Sequence, residues 1–201
     1  ARAERMVSTN GNRHIVYEGK AVLWQGASRL EAARIEIDRE QGLLRAAGSV
    51  FTQLLDKKAQ AGKAALFTVV RAATLDYDDA RRLAHYRGGV QLKRGAIDLR
   101  SRELRAYLNQ EQPKENTAAQ APPAPAAARQ ESGLDHAFAD GEVVILHSSP
   151  GRTRRGAAER AEYYVGEEKV ILSGGHPQLD DSLKGATRGR QLTYWANDDR
   201  L

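Results

Sequence analysis

The side chains able to do chemistry do not assemble into a reactive set. The five histidines, His14, His85, His136, His147 and His176, are scattered with no two at ligand spacing, and the chain has no cysteine. Zinc and haem sites need such ligands at short, fixed separations, so no metal and no cofactor is expected. No Gly-x-Ser-x-Gly elbow is present to expose a nucleophile. Gly151-Arg152-Thr153-Arg154-Arg155-Gly156 has the glycine separation of a phosphate loop, but Ala157-Ala158 stand where Lys and Ser/Thr are required. It reads as a basic turn whose Arg152, Arg154 and Arg155 are able to meet an anion. Asp78-Asp79, Asp180-Asp181 and Asp198-Asp199 fall at or near expected turns, where aspartate caps the backbone rather than sharing a proton. Catalysis is therefore not expected.

The net charge of +5 and an arginine-rich composition raise the question of anionic partners, since guanidinium groups fork onto phosphate and carboxylate. Acidic residues are interspersed almost throughout, which fits the solvated outer faces of strands. A nucleic-acid platform needs exposed aromatics among the basic residues, and aromatics make up only 6% of the chain, so no nucleic acid is expected. Tyr17, Tyr77, Tyr163 and Tyr194 fall at repeated strand positions and read as core or rim, whereas Trp24 and Trp195 fall at strand ends. No apolar run approaches the ~18 residues of a membrane helix. The N-terminus, Ala1-Arg2-Ala3-Glu4-Arg5, has no apolar signal core, so an exported protein would have lost its signal already.

What positions the side chains is a two-residue rhythm. Ile15, Tyr17, Gly19, Ala21 and Leu23 share one face of an extended segment. Ala33, Ile35 and Ile37 repeat the pattern against Arg34, Glu36 and Asp38, and Leu44, Ala46, Gly48 and Val50 repeat it again. Such alternation marks half-buried strands. The breaks at Gly26-Ala27-Ser28 and Glu40-Gln41-Gly42 suit chain reversal. A second module carries Tyr86, Gly88, Val90 and Leu92, then Ala96 to Arg100, which is expected to turn at Ser101-Arg102 and pair with Leu104 to Leu108. A third carries Ala139, Gly141, Val143 and Ile145, then Ala161, Tyr163 and Val165, then Val170, Leu172 and Gly174. About three imperfect copies of several short strands imply stacked antiparallel hairpins.

Two stretches stand apart. Residues 56–66 read as a polar connection, and residues 109–133 hold four of the six prolines together with alanine and glutamine. Proline removes amide donors and clashes with a preceding turn, so 109–133 is expected to be a flexible Pro/Ala-rich insertion rather than a helix. A linker between two domains is the alternative, but the alternation resumes in phase afterwards. The expected organisation is one domain over 1–201; because the last copy lacks its closing strand, it is expected to be a fragment of a longer chain, the alternative being an open edge.

The pattern resembles the OstA-like (LptA/LptC/LptD N-terminal) family of lipopolysaccharide-transport periplasmic proteins. The residues that carry it are Tyr17-Glu18-Gly19-Lys20-Ala21-Val22-Leu23-Trp24-Gln25-Gly26, Leu30-Glu31-Ala32, Ile35-Glu36-Ile37-Asp38 and Leu44-Arg45-Ala46-Ala47-Gly48-Ser49-Val50. Val170-Ile171-Leu172-Ser173-Gly174-Gly175-His176-Pro177 and Arg188-Gly189-Arg190-Gln191-Leu192-Thr193-Tyr194 add to it. The resemblance implies an all-β, partly open antiparallel β-jelly-roll in the periplasm of a Gram-negative bacterium. It also implies a bridge component that carries the lipid A part of lipopolysaccharide in a hydrophobic groove from inner to outer membrane, for outer membrane biogenesis. Other OstA-like components would join by edge-strand pairing, with head-to-tail self-association. Carried onto this chain, the groove residues are Ala21, Leu23, Leu30, Ile35, Ile37, Leu44, Val50, Val90, Leu92, Ile97, Leu99, Val143, Ile145, Val170 and Leu172. From the alternation alone, a dry core is the default reading of the inner face, and a groove open along one side is the other. A basic β-protein that binds polysaccharide or nucleic acid, or a purely structural assembly module, are the alternatives.

Overall fold

The computed structural model describes residues 1–56, 66–109 and 134–195. The stretches expected to be a polar connection, a Pro/Ala-rich insertion and a terminal turn fall wholly or mostly outside these residues. Every described element is a strand. β1 (Arg5–Thr9), β2 (His14–Gln25), β3 (Ser28–Asp38), β4 (Leu43–Asp56), β5 (Leu66–Asp78), β6 (Leu83–Arg94) and β7 (Ile97–Leu108) run in chain order. β8 (Leu134–Ser149), β9 (Arg152–Tyr164), β10 (Lys169–Ser173), β11 (Gln178–Asp181), β12 (Gly185–Arg188) and β13 (Gln191–Trp195) follow. They form one 13-stranded sheet in which each strand from β1 to β10 is antiparallel to the next, with β13 on β10 and β11 between β9 and β12. The all-β antiparallel expectation holds.

A single sheet has a core only if it folds over on itself, and glycine makes it do so. Each of β2, β4, β6 and β8 slips register by one residue at a pair of left-handed residues. The pairs are Gly19 (φ 75°) with Lys20 (45°), Gly48 (83°) with Ser49 (53°), Gly88 (84°) with Gly89 (70°) and Gly141 (81°) with Glu142 (51°). Their register partners are Ala33, Ala73, Arg102 and Glu159, so the slips lie side by side across the sheet. Gly174 and Gly175 repeat the device between β10 and β11. β12 and β13 together answer β10 and β11, with Gly189 N–H donating to the Pro177 carbonyl across the bend (3.2 Å). Aligned bulges bend a sheet sharply and raise its twist. Glycine is required because left-handed φ is costly with a Cβ, and because space is short. A Cβ on Gly48 would lie 2.6 Å from the Ala33 Cβ, and one on Gly88 would lie 2.6 Å from the Ala73 Cβ.

The bend gives every long strand two limbs. Limb one holds the halves toward the turns near 38–43 and 78–83, and limb two holds the halves toward the turns near 25–28 and 94–97. In β2, β4, β6 and β8 the extra residue keeps the alternation in phase through the bend, whereas in β3, β5, β7 and β9 the buried phase shifts by one residue at Ala33, Ala73, Arg102 and Glu159, so that one face of both limbs turns inward. Tyr17, Ile35, Ala46, Leu75, Tyr86, Leu104, Ala139, Ala161, Leu172 and Leu192 form one continuous inward row on limb one. Leu23, Leu30, Thr52, Val70, Leu92, Leu99, Ile145, Gly156 and Leu179 form its counterpart on limb two.

Two local expectations are corrected. Ser101-Arg102 is no turn: β7 runs unbroken through the corner from Ile97 to Leu108. Likewise β2 to β9 are long and bent, β8 reaching 16 residues, because pairing survives the bulge instead of stopping at it, while β1 and β10 to β13 are short as expected. The repeating unit is therefore a pair of bent strands, one with the left-handed pair and one without.

The glycines differ in how much they matter. Gly48→Ala adds a strained φ to a clash and is expected to cost about 1–3 kcal/mol. Gly26→Ala, with φ 55° but no atom within 4 Å, is expected to cost less. Urea unfolding midpoints of the two variants check the order.

Candidate functional site

Ala21, Leu23, Leu30, Ile35, Ile37, Leu44, Val50, Val90, Leu92, Leu99, Val143, Ile145, Val170 and Leu172 all lie in one buried apolar cluster between the limbs. Ile97 packs against it from the rim, partly buried. Leu75, Tyr77, Leu104, Leu179 and Tyr194 occupy equivalent inward positions and complete the lining. They obey the same alternation, so the signal for them was present in the sequence; the tyrosines read there only as core or rim.

Between the limbs lies a cavity of about 20 Å³, lined by Leu54, Thr68, Val70 and Leu92 from limb two and by Ala84, Tyr86, Ala106, Leu108 and Leu134 from limb one. That is room for about one water. Elsewhere the limbs touch directly, and a Cβ on Gly156 would meet the Leu172 side chain at 2.8 Å. A larger cleft of about 470 Å³ lies around Arg45, Asp76, Asp78, Arg81, His85 and Arg87. Its charges are satisfied internally: Asp76 pairs with Arg87 and with Arg45 (3.7 Å), and Asp78 pairs with Arg81 (3.5 Å). The interior seam is accordingly the better candidate site.

Polar groups gather at the rim of limb two, where Thr68, Arg94, Ile97, His147, Arg154 and Asp181 are successive register partners. Arg94 Nη1 donates to the Tyr163 hydroxyl of limb one at 3.3 Å. Arg154 Nη1 donates to the Trp195 carbonyl, also of limb one, at 2.8 Å, and its guanidinium lies 5.8 Å from the Tyr194 ring centre. Arg154 Nε donates to Asp181 Oδ2 at 3.1 Å, while Arg152 grips both Asp181 oxygens with Nε at 3.0 and 2.9 Å. The Asp181 side chain is only 1% exposed. Asp181 Oδ1 also accepts the Leu183 N–H at 2.9 Å and so caps the turn after β11. The sequence reading of a basic turn is corrected here: Arg152 and Arg154 lie in β9, and the anion they meet is the chain's own carboxylate.

These surroundings shift the rim groups. Hydrogen bonding from Arg152, against the cost of burial, holds the Asp181 carboxyl well below the usual carboxylate range. Burial, reinforced by Arg154, lowers the His147 imidazole, so it stays neutral further into acid. Burial pushes the Tyr86 phenol up to about 12, against the opposing effect of Thr52 beside it. Among the described residues, no group of three His, Asp or Glu side chains is placed to hold a metal ion.

Compared with known proteins, residues 69–200 match the family model of the LptA/(LptD N-terminal domain) LPS (lipopolysaccharide) transport proteins. Among solved structures, the chain is similar to LptH from Pseudomonas aeruginosa, the LptA homologous periplasmic component of that organism's lipopolysaccharide transport device. The identity is 15% and the TM-score 0.49, over 64% of this chain and 76% of that one. No curated protein sequence matches.

The buried carboxylate makes a pH prediction. Its folded pKa is depressed, so its stabilisation is present above the unfolded value of about 3.9 and is lost as pH falls from there through the folded value. Asp181→Asn removes the counter-charge from buried Arg154 and half-buried Arg152 and is expected to cost about 3–5 kcal/mol at neutral pH. It is also expected to remove part of the acid-side fall in stability. Urea midpoints of both proteins across the acid range test the sign.

Proposed function

Because the chain belongs to the LptA/(LptD N-terminal domain) family of LPS transport proteins, we propose that it holds the acyl chains of lipid A between its two limbs. In this reading it serves as one periplasmic unit of a non-enzymatic bridge that carries lipopolysaccharide from the inner to the outer membrane. The observation that carries the reading is the seam itself. Two apolar faces of one sheet meet along its length and are joined covalently only through the corner. Parting them needs no strand to leave its neighbours.

Burying acyl methylenes contributes about 0.8 kcal/mol each, so a parted seam gains affinity without specific polar contacts. Arg94 at the rim suits a phosphate on the headgroup. β1 and β13 end the strand order of the sheet. Their outer sides offer backbone donors and acceptors to another unit of the same kind, which supports pairing with other OstA-like components and head-to-tail self-association.

A dry structural core is the second reading, favoured by the cavity of only about 20 Å³. Photo-crosslinking separates the two. Photoreactive residues at Leu23, Ile37 and Leu92 are expected to capture lipopolysaccharide far more strongly than those at Glu36 and Arg100 on the outer face. Equal capture from both sets would reject the groove.

A further inference from the structure

The seam is not uniform along the sheet, and the difference points to where a chain enters. In the middle, under β4 to β8, the facing side chains are Val70 and Leu92 against Tyr86 and Ala106, and here the limbs leave their small gap. In the C-terminal third the limbs are locked. Arg154, 5% exposed, reaches from β9 of limb two to the Trp195 carbonyl on β13 of limb one. Gly156 two residues on lets the Leu172 side chain of the opposite limb close over it. Leu179 and Tyr194, both 1% exposed, fill the space on either side.

Resting on the transport reading above, we propose that the acyl-chain site is confined to the middle of the seam, and that Arg154 is a barrier closing the C-terminal third to it. The occupant is a linear acyl chain of an anionic amphiphile. The apolar lining selects the chain. Arg94, the register partner of Thr68 in that lining, stands between the open segment and the barrier, where an anionic headgroup would lie. An acyl chain is too large for the present gap, so the limbs part there by flexing at the corner. At its edge the middle segment is also tied by Arg94 Nη1 donating to the Tyr163 hydroxyl at 3.3 Å, a longer bond between side chains that water or a headgroup can replace, whereas in the C-terminal third parting requires breaking the 2.8 Å bond from buried Arg154 to a backbone carbonyl. An unsatisfied carbonyl inside the protein is costly, so that segment opens later than the middle.

Arg154→Met tests the barrier, because it removes the cross-limb donor, keeps the apolar stem, and leaves Asp181 held by Arg152. With purified lipid A, a photoreactive residue at Leu92 is expected to label strongly in the otherwise unaltered chain, and one at Leu179 to stay at background. In Arg154→Met, labelling from Leu179 rises several-fold while that from Leu92 is unchanged. Hydrogen exchange on the ligand-free protein gives a second readout: residues 191–195 exchange several-fold faster in Arg154→Met, while β3 to β5 keep their protection. Equal labelling from Leu92 and Leu179 without the substitution, or unmoved exchange at 191–195, overturns the barrier. No labelling at either position overturns the lipid-binding reading instead, and the exchange result then decides the barrier alone.

Discussion

The whole architecture depends on a line of backbone that only glycine tolerates well. Where Gly19, Gly48, Gly88 and Gly141 adopt left-handed φ, a second left-handed residue follows, and the strand gains one residue over its neighbour. A single bulge would merely kink one edge. Because the bulges recur on alternate strands and face the same kind of position each time, their bends add along one line, and a flat sheet becomes two limbs. Lys20, Ser49 and Glu142 share the left-handed conformation without glycine's freedom, at about 1–2 kcal/mol each. The sheet sustains that cost because the bend converts one solvent-facing apolar surface into a core.

The inner and outer faces divide the work. Outside, charges pair across strands: Arg105 and Arg160 both donate to Asp140 (2.6 and 2.7 Å), and Arg102 pairs with Glu142 at the corner (2.6 Å). Tyr107 and His136 stack on the outer face at 4.5 Å, with Tyr164 beyond. These contacts stiffen the sheet within each limb, and exposed pairs of this kind contribute little individually. The hold between limbs is of another kind, being apolar contact plus a few buried polar bonds at the rim.

Most of the inner face was legible because burial obeys parity. Ala33, Ile35 and Ile37 against Arg34, Glu36 and Asp38 announce a half-buried strand, although Ala33 itself proves to be the exposed residue opposite the corner. The corner was not legible, since a glycine in phase with the apolar residues reads as one more small member of the alternation, although Gly48 and Gly88 are exposed. Its recurrence at a matching place in β2, β4, β6 and β8 was the available signal. Ser101-Arg102 was misread for the related reason that a small and a charged residue in the middle of a strand look like a turn. The Arg152–Asp181–Arg154 cluster was hidden by distance: its members lie 27 and 29 residues apart, and each, viewed locally, belongs to a turn motif.

That cluster also shows why charge counting said little about function. A run of three arginines in four residues suggests an external anion, yet burial decides which anion is met. Moving a guanidinium out of water requires a counter-charge already in place, and Asp181 supplies it with both oxygens engaged. The same pairing leaves Arg154 Nη1 to donate to the opposite limb. Conversely, Arg155 at the next position faces outward and is half exposed, with Asp180 4.0 Å away. Neighbouring arginines in one strand thus do opposite things, and the two-residue period assigns the roles: inward Arg154 ties one limb to the other, and outward Arg155 keeps the surface wet.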